Sequence, residues 1–486
     1  MALDTIPKQE GGKLKAVASG TLPSGQPVIV NADGTVSTIT GASGDLNVGS
    51  ETYIGASQND TTVVYDSNSQ KIVYIYKDDA NVGRATAVVG TVSGSSITFG
   101  TPVVASSGTA SGWISACFDP DTNQVVIAFA DGSNNGKGTA VVGSVSGASI
   151  SFGSNTVFET GLILYTATVY DTVNNKVVIS YKDQTNSNYG TAVVGTVSGT
   201  SISFGTPVVF DSLEANRVMS AFDPVAGKVG VFWEGYTPSF SDAGKAVVGT
   251  VSGTSISFGA INTYTDTTGG FWPVAGYDAS AGSFVVIWRN NVPNAYAIAA
   301  QISGTSLTFG SAVQIGTSTF GSSRGAFAYD ANAEKSSFIY SQGGTPQWGV
   351  AKVSGTAIDS FDVTPISGIG TFRWGGVAYD ANTKKNAVVI CDTNNSEGGS
   401  YYVIQNAFSS TDLTSENYIG ISTGGAVADG GNANVGIIGS VSDEQSGLTS
   451  GQSYYVQTDG TVGTTPADPS VLAGTAISAT KMLVKT

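Results

Sequence analysis

The chain has 486 residues, of which 64 are Gly (about 13%, against an average near 7%), while only 12% are charged and 41% are hydrophobic. A net charge of −15 excludes phosphate-backbone binding, which needs clustered Lys and Arg, so no nucleic-acid partner is expected. The complete absence of His excludes Ser-His-Asp and Cys-His nucleophile systems, His general bases and His-containing metal centres.

In chain order, residues 1–45 open with MALDTIPKQEGGKLKAV, which lacks the apolar core of a signal peptide, and continue with SGTLPSGQPVIVNADGTVST, where DGTV signals a hairpin. The stretch LNVGSETYIGAS (46–57) reads as a lone outer strand without partners of its own. Then an aromatic-Asp pair recurs seven times, at Tyr65-Asp66, Phe118-Asp119, Tyr170-Asp171, Phe222-Asp223, Tyr277-Asp278, Tyr329-Asp330 and Tyr379-Asp380, with steps of 53, 52, 52, 55, 52 and 50 residues. Each pair ends a strand (a) and is followed by a turn, an alternating run such as VVISYKD (b), a polar loop, and a near-verbatim hairpin such as AVVGTVSGTSISFGTPVVF (c and d). Period-two alternation between Gly, Asn, Ser and Asp turns makes these strands, and four short strands per repeat of about 52 residues define propeller blades. The last repeat lacks its own d strand, and 46–57 is expected to supply it, which closes a ring and removes two open sheet edges. Residues 446–464 (SGLTSGQSYYVQTDGTVGT) resemble 19–38, so both chain ends are expected to meet. The expected fold is all-β: a seven-bladed β-propeller over 46–415 with a small β base built from both termini, 1–45 and 416–486.

Within each repeat the a–b and c–d turns are short and uniform, whereas the b–c and d–a loops differ throughout, and loops on a rigid scaffold are where binding residues collect. All five Arg and all six Trp are expected in or beside loops of that diverse face. Six residues before each repeat Asp, at the mouth of strand a, stand Asp60, Trp113, Tyr165, Arg217, Trp272, Arg324 and Trp374. Aromatic faces stack on the C–H faces of sugars, and guanidiniums hydrogen-bond hydroxyls or fork onto carboxylates. This crown reads either as a glycan-binding face or as aromatic plugging of the channel mouth. The repeat Asp residues read as turn-initiating Asx caps. A second series at the end of strand b (Asp78, Asp131, Asp183, Asp392) reads as solvated loop acids, with Ca bound through carboxylates and loop carbonyls as the alternative. Cys117 and Cys391 fall in apolar runs and read as buried thiols. No catalytic residue and no cofactor is assigned. A carboxylate glycosidase or a sialidase-like site using Arg217, Arg324 and Arg373 stays as an alternative, although no SxDxGxxW motif is present. With no apolar run near 18–20 residues, no membrane insertion is expected.

The repeat core YDxxxxKVVIxYxD…GTAVVGTVSGTSISFGTPVVF resembles repeats of virion proteins of marine bacteriophages, those of the tail-fibre or structural kind. The C-terminal run QSGLTSGQSYYVQTDGTVGTTPADPSVLAGTAISATKMLVKT and the opening LPSGQPVIVNADGTVS are similar to the end domain of the same family. The resemblance implies a virion appendage assembled in the host cytoplasm, attached through one end to other virion proteins. The propeller would present a face to a host-surface glycan or receptor. The base of about 110 residues is expected to form a homo-oligomer, a trimer by preference, because small domains bury little surface alone. The competing functions are an architectural capsid-decoration or tail-adaptor protein, and a free lectin or glycosidase.

Overall fold

A computed structural model describes residues 12–39, 41–55, 58–236, 242–265, 269–292, 294–317, 324–366, 372–392, 398–411, 413–458, 460–467 and 469–485. The chain divides into two compact units, Leu46–Asn406 and a terminal unit of Met1–Asp45 with Ala407–Thr486. The second boundary falls before residue 415 because Phe408–Thr411 pairs with Gly41–Gly44 of the N-terminal segment.

In the larger unit each aromatic-Asp pair ends the inner strand of an antiparallel sheet: Gln58–Asp66, Ser115–Asp119, Thr156–Asp171, Val208–Asp223, Phe271–Asp278, Ala326–Asp330 and Phe372–Asp380. The second strand of each sheet, for example Lys176–Asp183, is buried along nearly its whole length. Such a strand is covered on both faces, which is why the alternation of VVISY dissolves into an apolar run. The outer edge of the last sheet comes from the start of the unit. Val48 and Asn47 pair with Ile404 and Gln405, and Thr52–Ile54 pairs with Gly399–Tyr401. Successive inner strands lie against one another in cyclic order, the last against the first. An apolar cluster fills the space between each neighbouring pair of sheets, that between the last and the first included. A closed ring of four-stranded sheets about a central channel is the β-propeller architecture.

Two repeated sequence features explain how the ring packs. The repeat Asp caps the turn after strand a: Asp66 Oδ1 accepts from the backbone N–H of Asn68 (3.0 Å) and Ser69 (2.9 Å), and Asp223 from Val225 and Ala226 (both 2.9 Å). The aromatic before it reaches the adjoining sheet, as where Tyr379 Oη accepts from Asn332 N at 3.1 Å. The Gly that ends ISFG is required by close approach. At Gly153, Gly205, Gly259 and Gly310 a Cβ would collide with the carbonyl oxygen of the SGT turn in the next sheet (Thr200, Thr254, Thr305, Thr356). Both cysteines are buried and unbridged, and burial pushes the Cys117 thiol up from its ordinary range.

The terminal unit contains two five-stranded sheets of one topology. The first runs Lys13–Val17, Asn432–Gly436, Tyr418–Thr423, Pro27–Val30, Val36–Thr38, and the second Val441–Ser442, Lys481–Val484, Val471–Ser478, Ser453–Val456, Val462–Gly463. Numbered along the chain, both have the order 1-5-4-2-3. The similar segments 19–38 and 446–464 supply the 2–3 hairpin in each, with matching turns in which Asn31 N donates to Thr35 O (2.8 Å) and Gln457 N to Thr461 O (2.8 Å). In the first copy the propeller segment is inserted between strands 3 and 4, so that strands 1–3 precede it and strands 4–5 follow it. Residues 12–45 joined by a short Gly/Ser linker to 407–485 should therefore fold without the propeller. Far-UV CD and a cooperative melt check this, and an unstructured product would show that the unit depends on the ring.

Candidate functional site

The seven crown positions stand at the start of the inner strands. Five of them, Asp60 (φ 49°), Trp113 (59°), Tyr165 (56°), Arg217 (50°) and Trp272 (54°), occupy the left-handed region. Bulky non-glycine residues are rarely held there, and each such residue costs about 1–3 kcal/mol unless the surroundings over-determine it. In four of these strands the position coincides with a register shift: between Asn59 and Thr62, Leu164 and Ala167, Asn216 and Met219, and Phe271 and Val274. A bulge of this kind re-aims a side chain out of the pleat. The repeat thus uses a strained bulge to turn large side chains toward the channel mouth.

They do not form one uniform ring. Trp113, Tyr165, Arg217, Trp272 and Arg324 line a shallow open cup. Trp113 packs on Tyr165 (ring centroids 4.1 Å, 60°) and, edge-on, against Trp374 (6.1 Å, 82°), which stands behind the cup. The Arg217 guanidinium lies over the Trp272 ring at 4.1 Å and forms an ion pair with Glu234, whose side chain is 3% exposed. Burial raises the Glu234 pKa from its ordinary value, and Arg217 opposes the shift.

Arg324 and Asp60 have a different role. Arg324 Nη1 contacts Asp60 Oδ1 and donates to Ile114 O, and Nη2 donates to Thr166 O, each at 3.0 Å. Its backbone also donates to Arg373 O (3.2 Å) and accepts from Gly375 N (2.9 Å). One residue from the sixth repeat therefore ties together the first, second and third through its side chain and the seventh through its backbone. Below this tie the channel is lined by small residues, among them Ser115, Ala167, Ser220 and Ala275. Asp60 is buried, and desolvation raises its pKa despite Arg324. Arg217 and Arg324, two members of the candidate Arg triad, each already hold a carboxylate, and Arg373 is exposed.

Other sequence expectations need correction or extension. Trp233, Trp288 and Trp348 are not on the diverse face: they are 0%, 3% and 0% exposed and sit in the clusters between sheets. Their repeats place them on strands b and c, two to four residues from the loops, and burial takes them into the core. In the second acidic series, Asp131 accepts from Ser133 N (3.0 Å), and Asp183 from Thr185 N and Asn186 N (both 3.0 Å), so both cap their own loops. The Asp392 side chain lies outside the described residues.

Glu234 was missed, and Arg289, expected as one of the five Arg beside the loops of that face, was not counted among the crown. They occupy the place just before that acidic series, where other repeats carry Lys77, Ala130 and Lys182. In the register Asn59, Leu164, Asn216 and Phe271, each next to a crown residue, face Lys77, Lys182, Glu234 and Arg289. A residue whose charge changes from repeat to repeat at one fixed position was the available signal.

No protein-family model matches the chain, and no curated protein sequence matches it. Among solved structures it is similar to the BP39L lectin from Burkholderia pseudomallei, with a TM-score of 0.53 and 10% identity over 79% of this chain and 99% of the lectin. The β-propeller domain of Cps50 (Swd1) from Myceliophteria thermophila gives 0.47 at 7% identity over 74% of this chain and 99% of that domain. The NanB sialidase from Streptococcus pneumoniae gives 0.42 at 10% identity over 73% of this chain and 70% of the sialidase. The likeness to the lectin is one of fold. The class of protein that fold and ring together define is an all-β propeller.

Proposed function

We propose that this chain is a seven-bladed, glycan-binding propeller of a bacteriophage virion appendage, with the terminal unit as its attachment base to other virion proteins. The cup carries the reading. Large aromatic side chains are held at strained bulges around an open hollow, and the indole Nε1 of Trp272, which lines it, is a buried donor without an acceptor. Strain and unmet donors that gather at one place are a mark of a binding site rather than of packing alone. That a fold neighbour is a lectin agrees with sugar as the ligand class, and the virion assignment rests on the sequence resemblance. Binding is favoured over hydrolysis because the buried carboxylates Glu234 and Asp60 are engaged by the cup residues Arg217 and Arg324.

Glycan-array binding by the purified protein tests this. Trp113→Ala should weaken binding about tenfold or more, the effect of losing one stacked anchor. Ser201→Ala, in an exposed turn at the far end of its sheet, should leave binding unchanged. A Trp113→Ala protein that melts early and binds normally would favour the plugging role and an architectural protein. Release of reducing ends from a bound polysaccharide would replace lectin by glycosidase.

A further inference from the structure

The geometry points to an acidic sugar as the ligand, its carboxylate held between Arg217 and Arg289 beside Trp272. This deepens the glycan reading and rests on it. Arg217 comes from the bulge of the fourth repeat and Arg289 from the end of strand b in the fifth, where it pairs with Phe271 and lies over that ring at 5.0 Å. Among the described residues Arg289 has no ion pair, and the Nε atoms of both guanidiniums are buried donors without an acceptor. Glu234 is bound to Arg217 through Nη1 alone, which leaves the Nε of that guanidinium without an acceptor. Among the described residues Arg217 therefore holds a carboxylate and Arg289 holds none, in a chain whose net charge is −15.

Burial, and then the like charge of Arg217, lowers the Arg289 pKa, with Glu234 opposing. A second carboxylate would relieve that repulsion and supply the acceptor that the Nε–H groups lack. Guanidiniums meet carboxylates in a forked, planar way, whereas a neutral hydroxyl offers a single uncharged oxygen. The aromatic wall of Trp113 and Tyr165 would take the C–H face of the same ring.

The test is calorimetry on the full chain with an oligogalacturonide and a hyaluronan hexasaccharide, each beside its carboxyl-reduced form. At least one acid should bind about tenfold or more tighter than its reduced partner, the effect of a charge-assisted bond pair. That preference should shrink in 0.5 M salt. In Arg289→Ala and in Arg289→Gln, which keeps most of the stem, the preference should collapse to within about twofold, with melting temperature as the folding control. Equal affinity for acid and reduced forms, or a preference that survives both substitutions, overturns the inference and leaves the glycan reading standing. Failure of every form to bind removes both.

Discussion

Arg324→Ala should lower the unfolding free energy by about 3–5 kcal/mol, the cost of stranding a buried charge by removing its partner. Asp60 would lose the guanidinium 3.0 Å away, and the carbonyls of Ile114 and Thr166 would lose a charged donor. The loss should appear as a lower denaturant midpoint. Arg324→Lys should recover little, since an ammonium cannot address a carboxylate and two carbonyls on different strands with one planar fork. A fall of less than about 1 kcal/mol would mean that water satisfies these groups and that the tie is not structural. The same contact has a pH signature. Burial holds the Asp60 pKa above its ordinary value, so the folded chain binds a proton there more readily than the unfolded chain. Its contribution is then fully present below the unfolded carboxylate pKa, near 4, and is lost as pH rises through the raised value. Asp60→Asn should flatten the stability profile just above that range.

Trp348→Ala should cost about 3–5 kcal/mol as well, from a different cause. The side chain is 0% exposed in the cluster between the sixth and seventh sheets. Its Nε1 donates to Asn406 Oδ1 at 2.8 Å, while Asn406 Nδ2 donates to Asp330 Oδ2 (3.0 Å) and Ser337 Oγ (2.7 Å). Truncation leaves a cavity and an unpaired amide carbonyl in a network that ends on a turn-capping Asp. Thermal melts should fall by several degrees, with Trp348→Phe in between because it restores volume without the donor. Glycan affinity should be unchanged at a temperature where the variant is folded. A crown-like phenotype, with binding lost and the melt intact, would show that this Trp belongs to the face after all.

The repeat made much of the ring legible. Asx caps, hairpins and the lone strand at 46–57 are local devices, written in a few contiguous residues and repeated, so spacing alone located them. The pairing of Thr52–Ile54 with Gly399–Tyr401 followed from a missing partner in the last repeat. The matching strand order of the two terminal sheets was not legible, because only the 2–3 hairpin retains similar residues. The crown offset was also readable, as one position in a register. Which crown residues meet was not. Arg324 and Asp60 are 264 positions apart, and their contact exists only because a closed ring brings opposite inner strands across a narrow channel.

By itself, then, the sequence determined the all-β class, the strand count per repeat, the turn chemistry and the side of each sheet on which variable residues gather. Short-range hydrogen bonding and period-two patterning dictate those properties within a few residues. Tertiary structure alone decided that five crown residues sit at left-handed bulges and that Arg324 is a tie rather than a free ligand group. It also placed Trp233, Trp288 and Trp348 in the core and set Arg289 over Phe271, next to the Trp272 that carries Arg217. Each of these depends on how far a side chain travels across a sheet face or a channel, and a one-dimensional repeat carries no measure of that distance.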